Sequence, residues 1–118
     1  MSRPGDSADR QRPTGAERRR AAAEKLGATG EVADVLGRYL EHGQLAALPM
    51  KRAQRMVLLD FFATQFEPGR VYYEPEVNRV LGRFSDDTAS IRRALIDDEF
   101  MERRDNFYWR AGGTFEVD

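Results

Sequence analysis

The stretch from Tyr73 to Asp98, YEPEVNRVLGRFSDDTASIRRALIDD, constrains the fold more than any other part of the chain. Val77, Val80, Leu81 and Phe84 recur at i, i+3, i+4 and i+7, and Ile91, Leu95 and Ile96 resume the helical period after a polar break. Each half therefore predicts a short helix with one apolar face. Pro75 stands where the first turn of a helix accepts proline, and Ser85, Asp86 and Asp87 offer capping oxygens to the second helix. Two short helices joined by a polar turn make a helix-turn-helix pair, and the flanking segments decide whether it carries a wing.

Upstream, Lys51 to Phe66 begins basic and becomes apolar on nearly every side from Met56 to Phe62, the pattern of a central helix, with Pro49 in its first turn. Glu67-Pro68-Gly69 reads as a turn, and Val71-Tyr72-Tyr73 as a short strand. Downstream, Phe100–Arg104 and Phe107–Arg110 are strand-like runs separated by Asp105-Asn106, a dipeptide suited to a tight hairpin turn. The order helix, strand, helix, helix, hairpin predicts a mainly α fold with a small β-wing, a winged helix-turn-helix-like domain over residues 31–110. It opens on an amphipathic helix from Glu31 to Glu41, closed by Gly43 as a left-handed C-cap, followed by an extended piece over residues 44–48. Residues 1–30 are expected to form a disordered basic leader with a short helix from Ala16 to Leu26 that is frayed or exposed, and residues 111–118 a flexible tail.

Composition narrows the chemistry. No cysteine is present and His42 is the one histidine, so disulfides, zinc ribbons, iron–sulfur clusters, thiol nucleophiles and multi-imidazole sites are excluded, and no metal or cofactor is expected. No apolar run approaches the roughly 18 residues that read as a transmembrane helix, and the first twenty residues lack the apolar segment of a signal peptide. A cytoplasmic protein without a membrane partner is expected. Asp97 and Asp98 point about 100° apart on a helix, and Asp87 is about 15 Å from Asp97 along the axis. These carboxylates do not converge as an acid–base pair, and no enzyme activity is expected.

The net charge is −1, with seven basic and four acidic residues in 1–25, so that +3 in the leader stands against −4 in the remainder. Phosphate affinity comes from Lys and Arg, so the basic positions outside the leader decide how far DNA binding is supported. Lys51, Arg52 and Arg55 crowd a helix N-terminus, where the macrodipole disfavours cations. They read either as partners of Glu41 or Asp34, or as an anion or phosphate site. On the second helix of the pair, Ser90, Arg92 and Arg93 are the candidate DNA contacts, with Arg103 and Arg104 of the wing on flanking phosphates. Asp97 and Asp98 lie at the wrong helix end for the dipole, which predicts a structural ion-pair network of Arg92 or Arg93 with Asp97 and a wing arginine such as Arg110.

From Glu31 to Arg110 the chain resembles an uncharacterised bacterial family of unknown function, found alone or attached to helix-turn-helix regulators of the ArsR type. The resemblance is carried by Gly43-Gln44-Leu45, Leu48-Pro49-x-Lys51-Arg52, Arg55, Phe66-Glu67-Pro68-Gly69-Arg70, Tyr72, Glu76-Val77-Asn78, Asp87, Ile91-Arg92-Arg93-x-Leu95-Ile96-Asp97 and Tyr108-Trp109-Arg110. Met50 departs from the pattern where a small residue is usual, Glu74 where a Ser or Thr cap is common, and Glu99 where a Gly would close the helix. The resemblance implies a winged-helix-like fold in a regulatory setting and no established activity.

Taken together, these readings predict a small transcription-related regulator that binds DNA, as a homodimer to supply enough contacts. The alternative is a protein-interaction or dimerisation module, with a second copy or a regulatory protein as partner. Its surface would be Trp109, Phe107 and the exposed end of the Glu31 helix.

Overall fold

The computed structural model describes residues 12–114. Its core forms around helix α3 (Arg52–Ala63), whose Leu58, Leu59, Phe61, Phe62 and Ala63 are buried. Helices α4 (Glu74–Leu81) and α5 (Thr88–Asp97) turn Val77, Leu81, Ile91, Ala94 and Leu95 onto the same core, as the period of the helix pair predicts. Phe84, in the turn between them, is fully buried, with its ring 5.1 Å from that of Phe62 and 5.5 Å from that of Phe61. Each such ring contributes about 1.5–3 kcal/mol by leaving water, more with its edge contacts.

Strand β3 (Tyr72–Tyr73) leads into α4, and strands β4 (Met101–Arg104) and β5 (Phe107–Arg110) follow α5. They form one antiparallel sheet in the order β3-β5-β4, with Tyr72 opposite Tyr108, Tyr73 opposite Phe107, and Met101 opposite Arg110. Alternation puts Tyr72, Tyr108 and Met101 on the buried face. The two-residue turn Asp105-Asn106 appears as expected, with Asp105 at φ 55°. This is an α-rich domain with a β-hairpin, and its element order from α3 to β5 is the order expected from the sequence.

The N-terminal half departs from expectation in three places. Helix α1 (Gly15–Lys25) is largely exposed, as one of the two expectations had it, but it is not frayed: it packs against helix α2 (Gly30–Tyr39), burying Ala23 and Ala33. The backbones approach so closely that a Cβ on Gly37 would lie 3.0 Å from the Arg19 carbonyl carbon and oxygen. The side chain of Thr14 caps α1 by accepting from the Glu17 N–H at 3.0 Å, and Gly27, at φ 98°, ends it in a Schellman motif. Small residues permit the docking that a count of large apolar side chains does not foresee.

Helix α2 stops at Tyr39, and Gly43 is not its C-cap. Strands β1 (Leu40–Glu41) and β2 (Gln44–Leu45) form a hairpin in which His42 and Gly43 both have positive φ, 52° and 80°, the requirement of a type I′ turn. The hairpin wins over helix because it buries Leu40 and Leu45 and lets the Leu45 N–H donate to the Phe84 carbonyl at 2.7 Å. Helix α3 begins at Arg52 rather than around Pro49, because Lys51 holds extended geometry as the N-cap.

The start of the expected flexible tail is also docked. The N–H groups of Ala111 and Gly112 donate to the Phe100 carbonyl, and the Thr114 N–H and hydroxyl donate to the Asp60 carboxylate at 2.7 and 3.0 Å. Beneath them Arg110 is buried, donating to the carbonyls of Phe66, Gly112 and Thr114. The disorder expected for residues 1–11 and the flexibility expected for residues 115–118 fall outside the described residues.

Candidate nucleic-acid interface

Helix α5 starts from a cap made by Asp87. Its carboxylate accepts the Ser90 N–H at 3.1 Å and the Ser90 hydroxyl at 2.6 Å, and the Ser85 hydroxyl accepts the Asp87 N–H at 3.0 Å. The Ser90 hydroxyl and N–H, with help from the Arg93 charge, hold the Asp87 carboxyl below its ordinary range. Ser90, though exposed, therefore has its hydroxyl committed to the cap.

Arg92, one position before Arg93, turns toward the sheet. Its Nε lies 3.5 Å from Glu74 Oε1, and its Nη1 donates to Asn78 Oδ1. The same Glu74 oxygen accepts the hydroxyl of the fully buried Tyr108 at 2.6 Å, and the Glu74 N–H donates to the Asn106 carbonyl at 2.8 Å. One carboxylate thus joins the start of α4, the middle of α5 and the central strand. The Tyr108 hydroxyl first, then Arg92 and Arg103, hold Glu74 below the usual carboxyl range against the opposing effect of burial. Burial, and then the hydrogen bond to Glu74, push the Tyr108 hydroxyl up.

The expected ion-pair network of Arg93, Asp97 and Arg110 does not form. Asp98 is the acid that finds a partner, Arg55 of α3, at 3.3 Å, while Asp97 stays exposed and Arg110 points among backbone carbonyls on the Asp60 side of the domain. On a helix, Asp98 rather than Asp97 faces the neighbour that carries a cation. Pairing of the α3 cations with Glu41 or Asp34 is likewise replaced: Arg55 takes Asp98, and Asp34 binds Arg20 of α1. Lys51 and Arg52 remain exposed at an α3 N-terminus that has no acidic residue in its first turn.

Of the residues singled out for DNA contact, Arg92, Arg93 and Arg103 come together. With Ile96, Asp97 and Tyr108 they line a cleft of about 230 Å³ between α5 and β4. The Arg103 guanidinium sits 5.7 Å from the centre of the Tyr108 ring. Ser90 lies instead on a neighbouring concavity of about 340 Å³ with Arg55, Arg93 and Asp97, and Arg104 is on the outer side of the hairpin opposite Phe107. Glu74 and Tyr108, which organise the cleft, were not identified from the sequence as site residues. Glu74 gave one signal, a carboxylate at a helix start where a hydroxyl cap is common.

Residues 44–110 match a family described as an uncharacterized protein conserved in bacteria, DUF2087. The chain belongs to the DUF2087 family. The DUF2087 match runs from β2 to the last residue of β5 and so contains the helix pair, the sheet and the arginine cleft, while α1, α2 and β1 precede it. It begins later than the resemblance, which extends back to Glu31. No curated protein and no solved structure matches the chain.

Proposed function

We propose that this DUF2087 chain is a small transcription-related regulator of winged-helix type that binds DNA and catalyses no reaction. The observation that carries the reading is the order α3, β3, α4, α5, β4, β5 with β5 between β3 and β4. A helix pair whose second member is followed directly by a β-hairpin suits entry of α5 into the major groove, with the hairpin against flanking phosphates. The regulatory setting of the resemblance, beside ArsR-type proteins, points the same way.

The side chains divide the work. Arg93 and Arg103 supply exposed positive charge at the cleft and Arg104 at the hairpin, whereas Arg92, held by Glu74 and Asn78, is a positioning residue. Ser90 acts through the cap. Few free cations on a near-neutral chain mean modest affinity and a salt slope of only about three. The test is binding of labelled genomic fragments by the full chain across a salt series. Binding that weakens as salt rises, with a slope reduced by about one for each of Arg93→Ala, Arg103→Ala and Arg104→Ala, is the expected result. No binding at low salt overturns it.

A second reading, a protein-interaction module on the same scaffold, is favoured by one observation. Tyr73 and Phe107 are 46% and 47% exposed and in edge contact, ring centres 5.4 Å apart, on the solvent side of the sheet.

A further inference from the structure

We propose that the outer face of the β3-β5-β4 sheet docks a second copy of this chain, sheet against sheet with strands antiparallel. The inference rests on the interaction reading, and with the DNA reading it shares only Arg104. An antiparallel sheet with one buried face should show polar residues on the other. Here Tyr73 lies beside Phe107, and Trp109 stands two residues along β5 on the same side. The register continued by one step sets Val71, 56% exposed, beside Trp109. Four apolar side chains thus form a square on the solvent side, across the sheet from α4 and α5.

Its occupant follows from the third column. On β4 the residues facing the same way are Glu102, opposite Trp109, and Arg104, opposite Phe107. Glu102 accepts the Trp109 indole N–H at 3.2 Å; Arg104 has no hydrogen bond or ion pair among the described residues. A twofold axis lying in the interface and running across the strands keeps each column over itself and reverses the strand direction. It places Glu102 over Arg104 of the second copy, Arg104 over its Glu102, and the apolar square over itself. The face is its own complement in charge. The square is smaller than the roughly 800 Å² per partner of a stable interface, so the dimer is weak and reversible.

Sedimentation equilibrium of the full chain tests this together with emission from Trp109, the chain's one tryptophan. The expected result is a monomer–dimer equilibrium with a dissociation constant on the order of 100 μM, and a blue shift of the emission as concentration rises. Arg104→Glu alone and Glu102→Arg alone each weaken association about tenfold, and the double exchange restores it, because the swapped charges again face their opposites. Glu102→Arg also removes the Trp109 acceptor, so the rescue decides. A chain that stays monomeric to about 1 mM, or a double exchange no tighter than the single variants, overturns the pairing. A photo-crosslinking side chain at position 107 separates this failure from that of the wider reading. Adducts with another protein alone overturn the self-pairing and spare the interaction reading, whereas no adduct overturns both.

Discussion

Three carboxylates show how single positions carry more than their pattern suggests. Glu99 follows α5 at φ 65°, with its own N–H on the Ile96 carbonyl and the Phe100 N–H on the Leu95 carbonyl, a Schellman close in which the left-handed position holds a β-carbon. Glu99→Gly should therefore raise stability, by about 0.5–1 kcal/mol in urea unfolding, the relieved left-handed cost exceeding the extra freedom of glycine in the unfolded chain. An unchanged or lower midpoint refutes the strain. Glu74 and Asp87 set the acid limb. Both have folded values below their ordinary 4.5 and 3.8, so their contribution is present above those values and is lost as pH falls through the folded ones. Tyr108 has the opposite sign: its contribution is complete below its ordinary 10.0 and is lost as pH rises through the raised folded value. Melting temperatures across pH should show Glu74→Gln flattening the acid limb and Tyr108→Phe the alkaline one, and limbs parallel to those of the unaltered chain would count against both assignments.

At the scale of elements, the chain is held by close approach as much as by large side chains. Helix α1 reaches α2 because Gly37 has no Cβ and because Ala23 and Ala33 are small, with Arg20 of α1 bound to Asp34 of α2. Gly37→Val should drive the two helices apart at a cost of about 1–3 kcal/mol, and amide exchange along residues 16–25 should quicken while α4 and α5 keep their protection. Unchanged exchange in α1 would mean that the contact at Gly37 is not what holds it. The coupling of sheet to α5 has a different origin, a polar cluster of Tyr108, Glu74, Arg92 and Asn78 that fixes α5 relative to the hairpin. It explains why Arg92 is unsuited to reading bases although it stands beside Arg93.

The whole molecule depends on one aromatic junction. Phe84 joins the two helices of the pair to α3 through Phe61 and Phe62, and its carbonyl receives the β1–β2 hairpin. Phe84→Ala should cost about 3–5 kcal/mol, a large part of the ~5–15 kcal/mol that holds a domain of this size together. Chemical denaturation should then show a midpoint far lower than that of any surface variant, and a midpoint near the unaltered one would place the centre of the core elsewhere. At this scale the two surfaces lie on opposite sides of the sheet: the arginine cleft against α5, the aromatic square facing away. DNA contact and self-pairing therefore share a single residue, Arg104.

Periodicity by itself determined the helix pair and the central helix, because a buried stripe must repeat at 3.6 residues wherever a helix meets a core, and residue type determined the strand between them and the hairpin that follows. Turn chemistry determined where β4 gives way to β5, and the family pattern was legible from Gln44 to Arg110. Partnership was decided in space. Which of Asp97 and Asp98 meets a cation, which arginine is free, and whether a basic leader rich in Ala and Arg docks all depend on residues far along the chain, such as Arg55 with Asp98 and Glu74 with Tyr108. Local spacing carries no information about contacts between distant segments; only packing brings such groups within reach and desolvates them, and that packing exists only once the chain has folded.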